Sequence, residues 1–443
     1  MDHAPKVLPM PSDFSDVAHL LRRSGFGGLR SEIESLTDMD WPEIVDHVLD
    51  ISDNPPVTRN VPNLDEDSTD WGERYVGMTH YWFERARTVP KPIQEKVALF
   101  WHGVLCSGLD KVNKHYLMFD QIQLFRTRGM GDLVELYQTM AIQPAMLLYL
   151  DNEDNRKGSP NENFARELME LFLLGQGHYT EDDVQASARA WTGHGLNRWD
   201  AEPRQYVFHA DDHDNDLKTF MGVTNNWNGP EIITHILLGP KQRDAARFIS
   251  AKMWSFFAYP NPEAGVVETL ADALIGGGMR VDALLRAIFL HPEFRGPKAK
   301  NALVRSPIEF TVAAMRHTGL TSDDIDPQWY VGEMGQSMYD PPNVAGWKQN
   351  GYWISSSAMW AKARFSSNLR WRANERELLA DSSDLTVEES VNRALDTFGV
   401  FEVSDRTRSS LNDFVTTERA TSRWAEPAGL IFLSLLTPEF QLA

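Results

Sequence analysis

Apolar residues recur at intervals of three and four along most of the chain, the spacing that gathers them on one face of an α-helix. Ile93, Val97, Leu99, Phe100, Val104 and Leu105 trace one such face, and Phe164, Leu168, Leu171 and Phe172 another. Ser159-Pro160-Asn161-Glu162 places a capping Ser, a Pro at the first helical position and a Glu at the third. That pattern predicts a helix from Ser159 to about Leu174, stopped by Gly175 and Gly177. Asp40 to Glu43, Thr180 to Asp183 and Thr386 to Glu389 repeat the capping logic, while Pro260 and Pro292 end the helices that carry Phe248 to Phe257 and Leu284 to Phe289. The predicted fold class is mainly α, a large multi-helix body preferred as a single domain.

One stretch breaks the helical period. Between Gly195 and Pro230, Tyr206-Val207-Phe208 and Leu217 to Met221 read as two short strands around the polar turn His209 to Asp216. One small β-hairpin is expected there, over about residues 204–222. An internal echo pairs Leu290-His291-Pro292-Glu293-Phe294 with Leu436-Thr437-Pro438-Glu439-Phe440, each with Pro stopping a helix and Phe folding back onto it. Residues 1–17 are read as an N-terminal extension and residues 18–370 as the main helical domain. A polar stretch, Asn374 to Asp384, marks the boundary of a C-terminal helical piece, residues 371–443, packed on it.

Composition narrows the functional classes. With 42% hydrophobic and 24% charged residues in 443, the chain has the profile of a globular protein with a real core. A formal net charge of -20 repels phosphate backbones, so nucleic acid is not expected as a partner. No apolar run approaches the roughly 18 residues of a membrane span, so no membrane partner is expected. Cys106 is the only cysteine, which excludes an intramolecular disulfide and any cysteine-rich metal centre. Met1 to Leu20 holds three prolines and Asp2, Asp13 and Asp16 without an apolar stretch, and Ser24-Gly25-Phe26-Gly27-Gly28 follows Arg22-Arg23 where an export signal needs a hydrophobic run. A cytoplasmic location is the expectation.

The run Asn161-Glu162-Asn163-Phe164-Ala165-Arg166-Glu167-Leu168-Met169-Glu170-Leu171-Phe172, followed by Gly175, Gly177, Tyr179, Thr180 and Ala188-Arg189-Ala190-Trp191-Thr192-Gly193, closely resembles the bacterial family DUF1800, a domain of unknown function. Other segments match in order: Leu20-Leu21-Arg22-Arg23 with Gly25-Phe26-Gly27, Phe100-Trp101-His102 with Lys111-Val112, His213-Asp214 with Lys218, and Pro341-Pro342-Asn343-Val344-Ala345-Gly346-Trp347. Thr437-Pro438-Glu439-Phe440-Gln441 looks like the family's ending. The resemblance brings no established reaction and no catalytic residues. It implies one association: relatives are described beside genes for exported proteins of the alkaline phosphatase and sulfatase type, and many relatives carry export signals, whereas none is expected here.

Two polar constellations stand out as candidate chemistry. On the predicted helix after Ser159, Glu162, Asn163, Arg166, Glu167 and Glu170 share one arc. If that arc lines a cleft, burial raises one carboxyl pKa while Arg166 keeps another ionised, which separates acid from base. The other reading is a solvated face of i,i+4 pairs, Glu162 to Arg166 and Arg166 to Glu170. The turn His209-Ala210-Asp211-Asp212-His213-Asp214-Asn215-Asp216 concentrates carboxylates and imidazoles, and His213 with Asp214 could hold a divalent metal ion. Asp212, Asp214 and Asp216 have calcium-loop spacing, but Leu217 and Val223 stand where an EF-hand needs Gly and Glu. A polar turn whose Asp and Asn side chains cap their own backbone is the alternative.

His102 lies in an apolar helix with Cys106 one turn on; a buried histidine and an inert thiol are the default, and a contribution to a polar pocket is the alternative. Asp340-Pro341-Pro342 must be stiff and extended, a rigid loop that presents Asn343 and Trp347, with Tyr352, Trp353 and Trp360 following as a candidate aromatic wall. The sequence therefore supports two hypotheses. One is an enzyme with Glu162, Arg166, Glu167, His213, Asp214 and Lys218 as catalytic residues and His102, Arg189, Asn343 and Trp347 binding substrate. It would hydrolyse a polar, saccharide-like compound, with one divalent metal at His213 and Asp214 if the reaction is metal-assisted. The other is a non-catalytic binding or assembly partner of an alkaline-phosphatase or sulfatase-like protein.

Overall fold

The computed structural model describes residues 13–421 and 426–443, and within helical stretches it leaves the side chains at 382 and 383 aside. Most of the expected N-terminal extension, residues 1–12, therefore lies outside the described residues. The structure is 62% helical, with only two short antiparallel hairpins among the described residues, so the fold is mainly α as the periodicity predicts. The capping boxes at Asp40, Thr180 and Thr386 form as expected. Helices Gln242–Phe257 and Val281–Leu290 stop just before Pro260 and Pro292.

The echo near each proline has a clear structural basis. His291 and Thr437 each cap a one-turn helix, Pro292–Arg295 and Pro438–Gln441, so each Pro opens a new turn as well as closing the old helix. Phe294 folds back on Phe289 at 5.1 Å between ring centres, and Phe440 packs edge-on against Phe310 at 5.5 Å. Both phenylalanines are fully buried.

A buried ion triad ties the central helices together. Glu95, on helix Ile93–Val104, accepts from Arg85 Nε at 2.9 Å and from Arg126 Nε at 2.7 Å, and its side chain is inaccessible to solvent. Arg85 comes from helix Trp71–Thr88 and Arg126 from helix His115–Arg128, so one carboxylate fixes three helices. The Arg126 guanidinium also lies 5.2 Å from the Trp82 ring. Trp82, Trp101, Trp191, Trp254 and Trp353 fill the core around this frame.

The expected single hairpin is corrected. Strand β1 (His194–Leu196) pairs with β2 (Tyr206–Phe208), and β3 (Lys218–Phe220) pairs with β4 (Val223–Asn225). Thus Tyr206 to Phe208 does not pair with 217–221, but with the segment that leaves helix Glu181–Ala190. The reason is local: Met221 and Gly222 both take positive φ and form a two-residue turn, closing β3 on β4 before it can reach β2.

The helix expected from Ser159 is also corrected. Its first helical residue is Asn163, and from Leu168 to Leu173 it widens into a π-helix. Ser159 is not the cap; its N–H donates to the Arg156 carbonyl at 3.1 Å. Asparagines intervene: Asn155 Oδ1 accepts from Asn161 N, Asn161 Nδ2 donates to the Asp151 carbonyl, and Asn161 Oδ1 accepts from Asn163 N, the cap the helix uses.

Candidate functional site

The sequence-predicted residues fall into three groups. At the N-terminal end of helix Glu181–Ala190, Arg166 makes a two-pronged contact with Glu181, at 2.8 and 2.7 Å, and a third with Glu162 at 3.1 Å. The expected Arg166 to Glu170 pair is absent because the wider π turn carries Glu170 away, to accept from Gln176 Nε2 and the Tyr179 hydroxyl. Glu162 and Arg166 thus form a salt-bridged surface.

At the other end of the same helix, about 12 Å away by helix rise, Arg189 grips Asp214 at 2.7 and 3.3 Å. Thr192 Oγ1 accepts from Asp214 N at 2.8 Å, and His213 Nδ1 pairs with the Thr192 carbonyl at 2.7 Å. Burial opposes ionisation of Asp214, but the hydrogen bonds from Arg189 and Asp216 N, with Lys218 nearby, outweigh it and hold the carboxyl below its usual range. Lys218 Nζ donates to the Asp214 and Asp216 carbonyls and to Asn226 Oδ1. Each of these side chains has protein partners that shape the turn. Among the described residues, no three His, Cys, Asp or Glu side chains converge as metal ligands.

The third group lies where helix Ile93–Val104 ends. His102 is fully buried, neither ring nitrogen has a hydrogen-bond partner among the described residues, and its ring packs 5.1 Å from Trp347. Burial alone pushes its pKa down to about 3, so it is a neutral core histidine. Burial likewise raises the Cys106 thiol to about 12, leaving it inert, with its S–H directed to the His102 carbonyl. Gly346, at φ +81°, holds the Pro341 to Trp347 loop on this helix end; a Cβ there would lie 2.1 Å from the Gly103 carbonyl oxygen. Asn343 folds back, its Oδ1 accepting from Ala345 N at 2.9 Å. Of the expected aromatic wall, Trp353 is buried, Trp347 half-buried, and Tyr352 and Trp360 exposed.

Beside this loop is a cluster that sequence reasoning passed over. Asp340 Oδ1 accepts from Asp110 N at 3.3 Å. Gly108 makes the room: a Cβ there would sit 2.6 Å from Asp110 Oδ1, 3.2 Å from Asp340 Oδ1 and 3.3 Å from the Tyr149 ring. Burial, the neighbouring Asp110 charge and a hydrogen bond between the two carboxyl groups push Asp340 up to about 6, against the pull of Asp110 N. Burial, then Cys106 and the carboxylates Asp110, Asp340 and Glu167, raise the Tyr149 hydroxyl to about 12, and burial and Asp340 do the same for Tyr75. Lys111 closes the far side, its Nζ donating to the Tyr149 carbonyl at 2.7 Å and to Asp151 at 2.8 Å.

Glu167 is the one predicted catalytic residue that joins this cluster. Burial and the Glu170 charge raise its pKa, and it accepts no hydrogen bond among the described residues. Tyr75 links the cluster to an exposed aromatic face: it stacks on Trp71, with ring centres 5.5 Å apart, and lies 6.4 Å from Trp329. The sequence signal for Asp340 was its place before Pro341-Pro342, and for Asp110 its place beside Lys111-Val112, but nothing in spacing links positions so far apart.

The segments that meet here come from across the chain, and so does the family match. No curated protein and no solved structure matches the chain. The family described as protein of unknown function (DUF1800) matches residues 19–442, nearly the whole length, and the chain belongs to it.

Proposed function

We propose that the protein is an acid–base enzyme that hydrolyses a polar, saccharide-like substrate at the Asp110 and Asp340 carboxyl pair. The carrying observation is Asp340, held up to about 6 beside a second carboxylate, which supplies a proton donor and a proton acceptor near neutral pH. Asp340 in its protonated form gives a proton to the leaving oxygen, and Asp110 takes one from the attacking water. Burial and the neighbouring Asp110 charge keep that proton on Asp340. The exposed rings of Trp71 and Trp329, on either side of Tyr75, offer faces on which a sugar ring stacks. Among the expected residues, Glu167 stays in this site, His102 and Trp347 support its loop, and Glu162, Arg166, Arg189, His213, Asp214 and Lys218 hold the neighbouring helix and hairpins.

The test is release of new reducing ends from a panel of neutral and acidic oligosaccharides between pH 4 and 8. Wild type is expected to act with a bell-shaped profile, and folded Asp340→Asn and Asp110→Asn variants to lose at least about a hundredfold in rate. No release by wild type, or full activity in Asp340→Asn, defeats the proposal. The same aromatic face, with Trp71 51% and Trp329 58% exposed, supports a second reading as a docking surface for another protein, such as one of alkaline-phosphatase or sulfatase type. In that case Trp329→Ala abolishes complex formation while Asp340→Asn leaves it intact.

A further inference from the structure

The Leu20 to Gly27 motif supplies part of a second site, remote in function from the carboxyl pair. Five cations point into one region of the interior: Arg22 and Arg23 of helix Phe14–Ser24, Lys96, Arg305 and Lys362. Arg23, Lys96, Arg305 and Lys362 are each no more than 4% exposed, and the half-buried Glu309 is the carboxylate among them. Burial without enough counter-charge pushes Arg22 down to about 10, Arg23 and Arg305 to about 9 and Lys362 to about 8.

Three of the five have partners. Lys96 pairs with Glu309 and the Gly25 carbonyl, Arg23 donates to the Ala258 carbonyl, and Lys362 Nζ donates to Gln441 Oε1 at 2.7 Å. Arg22 and Arg305 feel the Glu402 and Glu309 carboxylates only at a distance. Among the described residues neither guanidinium makes a hydrogen bond or an ion pair, and Arg22 Nε and Arg305 Nη1 are buried without an acceptor. Arg305 Cζ lies over the Phe440 ring, 4.4 Å from its centre, a contact that restrains the guanidinium. Both line a cavity of about 60 Å³ between the start of helix Phe14–Ser24 and the Gly399 to Phe401 turn.

We propose that this cavity binds an oxyanion, a phosphate or sulfate group, held by the guanidinium forks of Arg22 and Arg305. A cavity of about 60 Å³ exceeds the space of a few waters and admits a tetrahedral anion. Guanidinium planes suit two-pronged recognition of such groups. The other charges at the rim do not fill the need. Lys300 is tied to Asp16 at 2.8 Å, Glu439 accepts from Ser404 N and Thr407 Oγ1, and Glu402 is exposed at the mouth. The anion is either free in solution or the end of a phosphorylated or sulfated molecule.

The experiment is thermal unfolding and calorimetric titration of the full chain with sodium phosphate and sodium sulfate, against sodium chloride at equal ionic strength. A saturable rise of about 2 °C or more in midpoint over the chloride control is expected. Arg22→Gln, at the half-exposed arginine, should weaken apparent affinity at least about tenfold, and Arg305→Met should abolish binding. Asp340→Asn serves as the control and should bind as wild type does, which separates this site from the proposed hydrolytic one. If Arg305→Met does not fold, Arg22→Gln decides alone. A response no larger than chloride's, or wild-type affinity in Arg22→Gln, overturns the proposal. Binding of phosphate and sulfate alone points to a free anion, whereas tighter binding of a phosphate or sulfate monoester than of the inorganic ions points to a larger ligand.

Discussion

Asp340 and Asp110 face each other across the space left by the missing side chain of Gly108, with the Asp340 carboxylate also accepting from Asp110 N. The raised Asp340 pKa has a defined thermodynamic sign. Between the ordinary carboxyl value and about 6, the folded state holds a proton that the unfolded state releases. Stability contributed by this group is therefore present below pH 4 and declines as pH rises to 6. Asp340→Asn, which mimics the protonated form, should remove that decline and stand on the order of 1 kcal/mol above wild type at pH 7, after allowance for solvent screening. Urea unfolding of both proteins at pH 4.5 and 7 measures the difference; parallel behaviour would contradict a raised Asp340 pKa.

His102 predicts the opposite slope. Its pKa of about 3 when folded lies below the unfolded value near 6.5, so the unfolded state takes up a proton first and stability falls as pH drops below 6.5. His317, also buried with unpaired ring nitrogens and lowered to about 3, adds to the effect. His102→Leu should recover about 2 kcal/mol relative to wild type on going from pH 7 to pH 5. A constant difference between the two proteins at both pH values would show that His102 titrates normally.

Removing Glu95 should be the most damaging single change in the frame. Two buried guanidinium groups lose their common partner, and breaking a buried pair from one side costs about 3 to 5 kcal/mol. Glu95→Ala is expected to lower the unfolding midpoint steeply, with Arg85→Met/Glu95→Leu/Arg126→Met less harmful than the single change. Calorimetry of the two variants distinguishes a triad from three independent contacts.

Gly346→Ala tests the seat of the proline loop. The new methyl group would meet the Gly103 carbonyl oxygen in a backbone conformation that side chains disfavour, a cost of about 2 kcal/mol or more. The loop must lift, moving Trp347 away from His102 and Asp340 away from Asp110. A change in tryptophan emission together with a fall in the Asp340 pKa, followed by carbon NMR, is the expected outcome.

The His213 turn yields a structural prediction. Asp214→Ala unpairs Arg189 and takes the acceptor from Asp216 N, so the hairpins should loosen, with faster amide exchange from 194 to 225. Metal content by mass spectrometry should be the same in wild type and variant. One equivalent of a transition metal lost with Asp214 would reinstate the turn as a metal centre.

Local physics, visible in the sequence, determined the helical class, the capping boxes at Asp40, Thr180 and Thr386, the paired Pro turns and the buried fate of His102 and Cys106. Each depends on neighbours within a few positions, where spacing and backbone propensity dominate. The corrections arose where long-range partners outcompeted local ones. Asn155 and Asn161 took the backbone groups that Ser159 would have capped, and β1 claimed β2 once Met221-Gly222 had closed β3 on β4. The charged arc on 162–170 dissolved for a similar reason, since the π turn and Glu181 redirected its members. Only the tertiary structure brought Asp110 to Asp340 and Arg22 to the cavity of Arg305. A pKa or an unpaired guanidinium is set by burial and by charges within a few ångströms, and chain order carries no measure of either.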